Sequence, residues 1–471
     1  MITTKKRLWS EGNKHWEGHG VRPRSRRSAV RFPFLRKRVD PVAIALALLG
    51  GGGVVILAVK FRLFEFWIEL LGSTALLRLI TYPLAVSALI LLVGIVLRTV
   101  LWLHYHPEVL APGEKVDWPP ISVIIAALNE EEMVGKAIDS VFSSIYPPEK
   151  IQVVCVNDGS TDGTQAEMRK AKEKYGDRLT IVRFRKNRGK RKAFYAGLKK
   201  SQGEIIVSVD ADGKIGRSAL RNIIIPLLRD PRVGAVAGSV TVLNEKENFL
   251  TRMISTRYAL AFDFGRGYQS VYGGVFCCPG ALTAYRRDLV ELNIRDWLNQ
   301  KFLNVACSHG EDRALTTLIL KSGYLVKYQS NALVYTKVPA SFVELNKMYL
   351  RWTRSYLRES ALFAKFMFLP YRDKHRLLPI FDFFFENLLH PFQLLALVVV
   401  GYAFFVSPVF ILPTLAFLTV VSFLFSLIHL RTRRGMSFLY GIPYAFVAAF
   451  LQWWIVPVSA LTIRNQSWLT R

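Results

Sequence analysis

The feature that most constrains this chain is the position of its long uncharged apolar segments, which lie near both ends and leave a chemically mixed region between them. Residues 41–59 and 83–103 precede that region, and residues 391–406 and 408–428 follow it. A helix needs about 20 apolar residues to cross the hydrocarbon core of a bilayer. We therefore predict two transmembrane helices before the central region and a transmembrane hairpin after it.

The net charge of +28 has two explanations, nucleic-acid binding and membrane topology. The charge is concentrated beside the apolar segments: residues 1–38 contain twelve Lys and Arg but only two acidic residues, Glu11 and Glu17. Loops on the cytoplasmic side of membrane helices collect positive charge. We therefore favour topology, with a cytoplasmic basic tail near anionic membrane lipids and no nucleic-acid partner.

Three further segments are apolar but unsuited to a simple span. Residues 60–82 mix charges with apolar side chains, and residues 377–389 carry two acids among aromatic residues, so both favour the membrane interface. Hydropathy alone makes 438–461 a further span that would place the C-terminus outside. Pro443 and Pro457 interrupt it, however, and we interpret it as an interfacial or re-entrant helix.

The central region, 121–338, alternates short apolar runs with amphipathic stretches. The runs that predict buried strands are 121–127, 151–156, 179–184, 204–209 and 233–238. The stretches that predict helices are 131–144, 164–175, 190–201 and 217–229. Alternating strands and helices are typical of an α/β domain with a largely parallel sheet.

Four acidic motifs follow predicted strands or lie further along the same domain. They are Asn129-Glu130-Glu131, Asp158-Gly159-Ser160, Asp210-Ala211-Asp212 and Gly310-Glu311-Asp312-Arg313. Alone, Asp-Gly-Ser is a common turn and Asp-x-Asp is often a solvated loop. Open parallel sheets bind ligands at the carboxyl ends of their strands, so the order of the motifs favours one shared site.

The Asp210 and Asp212 carboxylates suit Mg²⁺ or Mn²⁺, hard cations that usually also bind phosphate. Lys190, Arg191 and Lys192 follow Gly189 and have two interpretations, positive charge beside that phosphate or a solvated helix start.

The order of these motifs resembles the family 2 inverting glycosyltransferases, and within them the processive membrane branch of hyaluronan synthases, nodulation chitin-oligosaccharide synthases and, more distantly, cellulose synthases. The matching segments, which extend to the C-terminus, are Cys277-Cys278-Pro279-Gly280 through Tyr285-Arg286, Trp297-Leu298, Gly310 to Thr316, Arg351-Trp352 and Trp468-Leu469-Thr470-Arg471. The resemblance implies a GT-A domain, an α/β fold inserted between helical transmembrane and interfacial segments.

The resemblance also implies roles for individual residues. Asp312 is the expected general base, and Asp210 and Asp212 the expected ligands of Mn²⁺ or Mg²⁺. The expected nucleotide-binding residues are Asn129, Glu130, Asp158, Lys190, Asp210 and Arg351. The expected acceptor-binding residues are Cys278, Gly280, Tyr285, Arg286, Glu311 and Trp352. The expected gating residues are Trp468, Thr470 and Arg471.

The implied function is polymerisation of a UDP-sugar into a β-linked polysaccharide and its export across the plasma membrane. UDP-N-acetylglucosamine is favoured, and alternation with UDP-glucuronate, as in hyaluronan, is the next choice. Two departures leave glucan or mannuronan synthesis open: Met348 stands where the branch has Gln, and the metal motif is Asp-Ala-Asp-Gly. A non-processive transferase that loads one sugar onto a lipid is the remaining enzymatic alternative.

These interpretations divide the chain into five parts, with the catalytic domain in the cytoplasm. They are a basic tail at 1–38, two transmembrane helices with an interfacial linker at 39–106, the GT-A domain at 107–340, interfacial helices with Arg351-Trp352 at 341–390, and at 391–471 the hairpin, an interfacial helix and the gating segment.

Overall fold

The computed structural model describes residues 75–372, 376–406, 408–431 and 436–466, all within one compact unit. The predicted basic tail at 1–38, the first predicted span at 41–59 and the gating residues Trp468, Thr470 and Arg471 lie outside the described residues.

The strands and helices are numbered along the described chain. The strands are β1 Ile121–Ala127, β2 Ile151–Asn157, β3 Leu179–Arg183, β4 Ile205–Asp210, β5 Gly213–Ile215, β6 Val233–Val242, β7 Leu282–Arg286, β8 Lys301–Phe302, β9 Val305–Ala306 and β10 Leu325–Thr336. The α-helices are α1 Ala75–Leu103, α2 Val134–Phe142, α3 Thr164–Tyr175, α4 Lys190–Lys200, α5 Ala219–Arg229, α6 Phe249–Ala259, α7 Gly267–Val271, α8 Arg287–Leu298, α9 Glu311–Lys321, α10 Phe342–Phe366, α11 Leu377–Val406, α12 Ile411–Ser426, α13 Gly441–Phe446 and α14 Ile455–Leu461.

Eight of the described strands form one sheet in the order β3-β2-β1-β4-β7-β6-β10-β5. All five predicted strands are confirmed. The adjacent strands β3, β2, β1 and β4 run parallel to one another. The expectation of a largely parallel sheet needs one correction, because β7 runs antiparallel between β4 and β6. The edge strand β5 is also antiparallel to its neighbour β10.

The apolar pattern of the sequence explains how helices cover this sheet. Strand β1 is almost entirely buried, as a strand with helices on both faces must be. Helix α2 directs Val134, Ala137, Ile138 and Val141 into the core, a spacing that places them on one helical face. The predicted helices at 131–144, 164–175, 190–201 and 217–229 are all present, with ends that differ by a few residues.

Helix α11 has no break between the predicted interfacial segment at 377–389 and the predicted span at 391–406. It is continuous over Leu377–Val406 and contains Pro391, where the sequence predicted a boundary. Asp382 does not face an aqueous interface: it accepts a hydrogen bond from Arg98 Nε of α1 at 2.9 Å and further bonds from Tyr268, Gln269 and Tyr272. The ion pair with Arg98 compensates the negative charge of Asp382, which would otherwise be costly to bury.

Among the described residues, α11 is the one helix both long and apolar enough to cross a membrane. The predicted span at 83–103 lies within α1, where Val93–Leu103 forms only a shorter apolar helix. In the predicted interfacial segment, Met436–Leu451 and Ile455–Leu461 are bent by 45° and together have the length and composition of a broken span or re-entrant loop. The break falls at 452–454 rather than at Pro443 or Pro457, which lie inside helices.

Candidate active site

Two loops that follow β1 and β2 are joined by side-chain bonds at the carboxyl edge of the sheet. Asn129, with a φ of 55°, accepts from the Thr161 amide at 2.9 Å and donates its own amide to Ser160 Oγ at 3.0 Å. The Glu131 carboxylate accepts from the Gly163 amide at 2.7 Å. The structure therefore brings the first two predicted motifs together, and Asn129 helps to shape the loop.

Asp158 lies at the centre of this edge. Its two carboxylate oxygens accept the backbone amides of Arg188 and Gly189 at 2.7 and 2.9 Å. The next residue, Gly159, has a φ of 77°, and a Cβ there would lie 2.4 Å from the backbone carbon of Lys186. Burial raises the pKa of Asp158 despite these hydrogen bonds. The Asp-Gly pair thus holds the loop that leads into α4.

Lys190, the first residue of α4, resolves the choice that the sequence left open. Its ammonium lies 2.6 Å from Asp210 Oδ1 and 2.9 Å from Glu311 Oε1, so it belongs to the acidic cluster and not to a solvated helix start. Burial raises the pKa of Glu311, but the charge and hydrogen bond of Lys190, a backbone hydrogen bond and the charge of Arg191 together hold it below its usual range. Lys190 therefore joins the Asp-x-Asp motif to the Gly-Glu-Asp-Arg motif.

Asp312 lies beside this cluster in the first turn of α9. Its Oδ2 accepts the Gly280 amide at 3.2 Å, and its Oδ1 accepts the Arg313 amide at 2.7 Å. Burial, and then the negative charge of Glu311, raise the pKa of Asp312. A carboxylate held in place with a raised pKa is suited to taking up a proton.

The start of α9 is held by residues whose roles the sequence did not reveal. Trp297 Nε1 donates to the Glu311 carbonyl at 2.7 Å, and Arg191 donates to the Trp297 carbonyl and to Gln300 Oε1. Gln300 in turn donates to Glu359 of α10 at 2.7 Å. The Trp297-Leu298 segment belongs to the family resemblance, but the spacing of the residues does not predict these hydrogen bonds.

Helix α10 presents the Arg351-Trp352 pair beside the site. The Trp352 side chain is 42% exposed, and its ring lies 5.9 Å from the Tyr349 ring and 6.3 Å from the Tyr258 ring. An exposed ring flanked by other rings offers a stacking surface. Met348, which replaces the expected Gln, is buried in the main core, so the departure from the motif replaces a polar group with packing.

Two of the predicted acceptor residues are placed differently from the expectation. Arg286 is paired with Ile205 at the amino end of β4, the opposite end from Asp210, because β7 runs antiparallel. Its guanidinium donates to the carbonyls of Val233 and Leu227, which gives it a structural role. Cys278 is fully buried and its amide donates to Thr316 Oγ1, whereas Gly280 and Tyr285 do line the cavity beneath Asp312.

Asp210 and Asp212 fit a divalent cation only as part of a larger ligand set. No group of three or more acidic, His or Cys side chains among the described residues is arranged to hold a metal ion. Two carboxylates at the end of β4 are hard oxygen donors, and a bound diphosphate adds further oxygens. The residues therefore fit a cation that binds together with a nucleotide.

Comparisons with known proteins agree with this geometry. The model of the family described as glycosyl transferase family 2 matches residues 122–292. An N-acetylglucosaminyltransferase of Rhizobium meliloti (strain 1021) is 31% identical over 76% of this chain and 83% of its own length. A hyaluronan synthase of Streptococcus pyogenes is 28% identical over 83% of this chain and 91% of its own length.

A solved structure shares the fold. A mannosyltransferase of Pyrobaculum calidifontis, in complex with GDP-Man and Mn²⁺, matches 79% of this chain and 98% of its own with a TM-score of 0.54 and 22% identity. This likeness concerns the fold alone. The extent of the sequence match to the Rhizobium enzyme, together with the family model, establishes that the chain is a glycosyltransferase and belongs to glycosyl transferase family 2.

Proposed function

We propose that this enzyme is a processive, inverting β-glycosyltransferase that extends a polysaccharide with sugar from UDP-N-acetylglucosamine. The observation that carries the proposal is the position of Asp312. One carboxylate of raised pKa lies between the Gly280 loop and the Lys190–Asp210–Glu311 cluster. A transferase whose leaving group is a diphosphate needs one base and no general acid, in contrast to the two-carboxylate glycosidases.

In the proposed reaction, a hydroxyl of the acceptor sugar donates its proton to Asp312. Its oxygen attacks the anomeric carbon of the donor as the bond from that carbon to the diphosphate oxygen breaks. The bonding electron pair leaves with the nucleoside diphosphate, and the proton stays on Asp312 until solvent removes it. A single displacement converts an α-linked donor into a β-linked product.

The donor would lie along the carboxyl edge of the sheet. We expect Asp158 and the loop with Asn129 and Glu130 to contact the nucleoside, and Asp210 and Asp212 the diphosphate, because all of them lie at the carboxyl ends of β1, β2 and β4. When bound there, Mn²⁺ or Mg²⁺ would neutralise charge on the departing diphosphate. Lys190 already contacts Asp210 and would add a second positive charge, and Arg351 a third.

Trp352 supports the acceptor side of the proposal. Its exposed ring, next to Tyr349 and Tyr258, would stack against the terminal sugar of the growing chain. Helix α11 and the bent pair near the C-terminus supply apolar segments of spanning length. We therefore place the enzyme in the plasma membrane, with a cytoplasmic active site from which the polymer is exported past lipid-embedded helices. The gating role of Trp468, Thr470 and Arg471 belongs to the same proposal.

The identity of the sugar follows the named relatives, one an N-acetylglucosaminyltransferase and one a hyaluronan synthase. The deciding experiment supplies the purified full-length protein in lipid nanodiscs with radiolabelled UDP-N-acetylglucosamine, alone or with UDP-glucuronate, and Mn²⁺. A polymer made from the single donor and degraded by chitinase supports the proposal. A polymer that forms only with both donors and is degraded by hyaluronidase favours the hyaluronan alternative, and Asp312→Asn is the control for both.

Two other outcomes would contradict the proposal. Label that appears only as a single sugar on lipid would indicate a non-processive transferase. Incorporation from UDP-glucose or GDP-mannuronate, and none from UDP-N-acetylglucosamine, would reassign the polymer to a glucan or mannuronan.

A further inference from the structure

Two buried arginines and a buried histidine lie next to Arg351, outside the catalytic cluster. Arg354 and Arg358 are 4% and 2% exposed, and His309, which immediately precedes the Gly-Glu-Asp-Arg motif, is fully buried. Residues three and four apart lie on one helical face, so Arg351, Arg354 and Arg358 form a single row along α10. The electrostatic influence of all three arginines reaches the His309 imidazole.

The hydrogen-bond partners of this group are neutral. Arg354 donates through Nε and Nη2 to Thr462 Oγ1 at 3.1 and 2.9 Å. Arg358 donates to the His309 carbonyl at 2.8 Å and to Gln466 Oε1 at 3.3 Å. Neither arginine forms an ion pair with a carboxylate among the residues that the structure describes.

Three nitrogen atoms in this group are buried without a hydrogen-bond partner. They are Arg354 Nη1, Arg358 Nε and His309 Nε2. Of the nearby carboxylates, Glu311 is bound by Lys190, and Glu359 accepts from Gln300 through Oε1 while its buried Oε2 has no hydrogen-bond partner. Burial and the three arginines lower the pKa of His309 to about 3, so the imidazole is neutral and keeps one N–H to donate. Guanidinium N–H groups that are buried without a hydrogen-bond partner are costly, and an anion that accepts from them would remove that cost.

We propose that His309, Arg354 and Arg358 form an anion subsite that binds the phosphoryl groups of a nucleoside diphosphate beside Arg351. The inference rests on the proposed function, because it extends the diphosphate site of that reaction. Charge-assisted bonds from guanidinium groups are the usual means of holding phosphate. The subsite directly precedes Gly310, where Ser308 also contacts Gln466 through two hydrogen bonds of 2.6 and 3.0 Å.

This position gives the subsite a second consequence. Arg354 and Arg358 hold Thr462 and Gln466, the last described part of the chain. A phosphoryl group that binds these arginines therefore competes for, or adds to, the bonds that fix residues 462–466. Diphosphate binding and the position of this segment are coupled through the same two side chains.

The test measures the binding of uridine, UMP, UDP and inorganic diphosphate to the full-length protein in nanodiscs by isothermal titration calorimetry. The variants are Arg354→Gln, Arg354→Lys and the matched control Lys365→Gln, which removes an exposed positive charge from the same helix. A charge-assisted hydrogen bond corresponds to roughly a 10- to 100-fold change in affinity. We expect Arg354→Gln to weaken UDP and diphosphate binding by that factor and leave uridine binding unchanged, while Arg354→Lys restores part of the loss.

Two results overturn the subsite. One is unchanged UDP affinity in Arg354→Gln. The other is an equal loss of uridine and UDP affinity, which indicates a merely structural effect. A different result would refute the proposed function: the protein without substitutions would bind UDP no better than uridine and would polymerise no sugar. If the parent protein polymerises sugar and binds UDP more tightly than uridine, and Arg354→Gln binds UDP just as tightly, the proposed function stands and only the subsite is refuted.

Discussion

The backbone amide of Gly280 donates to Asp312 Oδ2 at 3.2 Å, which joins the loop before β7 to the first turn of α9. The same glycine lies so close to the acidic cluster that a Cβ would meet Lys190 Nζ at 2.8 Å and Asp210 Oδ1 at 3.1 Å. Gly280, in the proposed acceptor loop, therefore lies next to both the proposed base Asp312 and the proposed metal ligand Asp210. We expect a substitution at Asp312 to affect the reaction at this position.

The first prediction concerns Asp312 as the base. Asp312→Asn keeps the size of the side chain and its acceptor for the Gly280 amide but loses the ability to take a proton. We expect turnover to fall by ~10²–10⁴ while the affinity for UDP stays within a few-fold of the parent. Radiolabel incorporation gives the first quantity and calorimetric titration with UDP the second. Turnover close to that of the parent would remove Asp312 from the mechanism.

The second prediction concerns pH. Asp312 must be ionised to accept a proton, so activity is present above its pKa and is lost as the pH falls through that value. Burial and the charge of Glu311 raise the pKa of Asp312, while Lys190 lowers it. Glu311→Gln removes the like charge and leaves the Lys190 ammonium to act on Asp312. The acid limb of kcat/KM should therefore move to lower pH.

The control for the pH profile is Glu291→Gln, an exposed acid on α8 that pairs with Arg287 at 2.8 Å. We expect its acid limb to coincide with that of the parent. An acid limb that stays in place or moves to higher pH in Glu311→Gln would show that another group governs this part of the profile.

The third prediction concerns Trp352. Because 42% of its side chain is exposed, replacement should have little effect on folding. Trp352→Ala removes the stacking surface, and loss of a sugar–aromatic contact of about 1 kcal/mol or more reduces the occupancy of the acceptor site about fivefold or more. We expect shorter products and an unchanged KM for the donor, with Trp352→Phe intermediate. Chromatographic sizing of the product tests this, and full-length polymer from Trp352→Ala would contradict it.

Much of the active site was predictable from sequence, because the carboxyl ends of β1, β2 and β4 must meet at one edge of a parallel sheet. The motifs that begin at Asp158 and Asp210 follow predicted strands that are strands in the structure. Helix α9 brings Asp312 to the same edge. Local patterns sufficed here because each strand is buried on both faces and continuously apolar.

The incorrect predictions concern contacts between residues that are distant in sequence. Strand β7 has only five residues, and its antiparallel pairing with β4 and β6 depends on neighbours that its own pattern does not reveal, so the sequence did not show that Arg286 lies beside the amino end of β4. Asp382 favoured an interfacial helix by composition, but its partner Arg98 lies 284 positions earlier. That pairing, which buries Asp382, could not be predicted from residues 377–389 alone.

The fourth prediction concerns the metal. Since no group of three or more acidic, His or Cys side chains among the described residues is arranged to hold a metal ion, cation binding should depend on the nucleotide. We expect excess chelator to stop transfer and Mn²⁺ or Mg²⁺ to restore it, because hard oxygen ligands accept both. Calorimetry should detect Mn²⁺ binding with UDP present and little without it. Full activity in excess chelator would show that the two aspartates serve only the loop.

The last prediction concerns Gly310, at the N-terminal boundary of α9. Its φ of 76° lies in the left-handed region, and a Cβ there would meet Ser355 Oγ at 1.9 Å and Ser355 Cβ at 2.6 Å. Gly310→Ala therefore adds both backbone strain and an overlap with α10, and each of these costs on the order of 1–3 kcal/mol. We expect a lower midpoint in thermal unfolding together with lower turnover, because the same movement displaces Asp312. The double variant Gly310→Ala/Ser355→Gly removes the overlap but not the strain, so it should recover part of the lost stability. Because glycine inside a helix is itself destabilising, the double variant is compared with Ser355→Gly, and a loss as large as that from Gly310→Ala in the parent would mean that the overlap with Ser355 does not cause it.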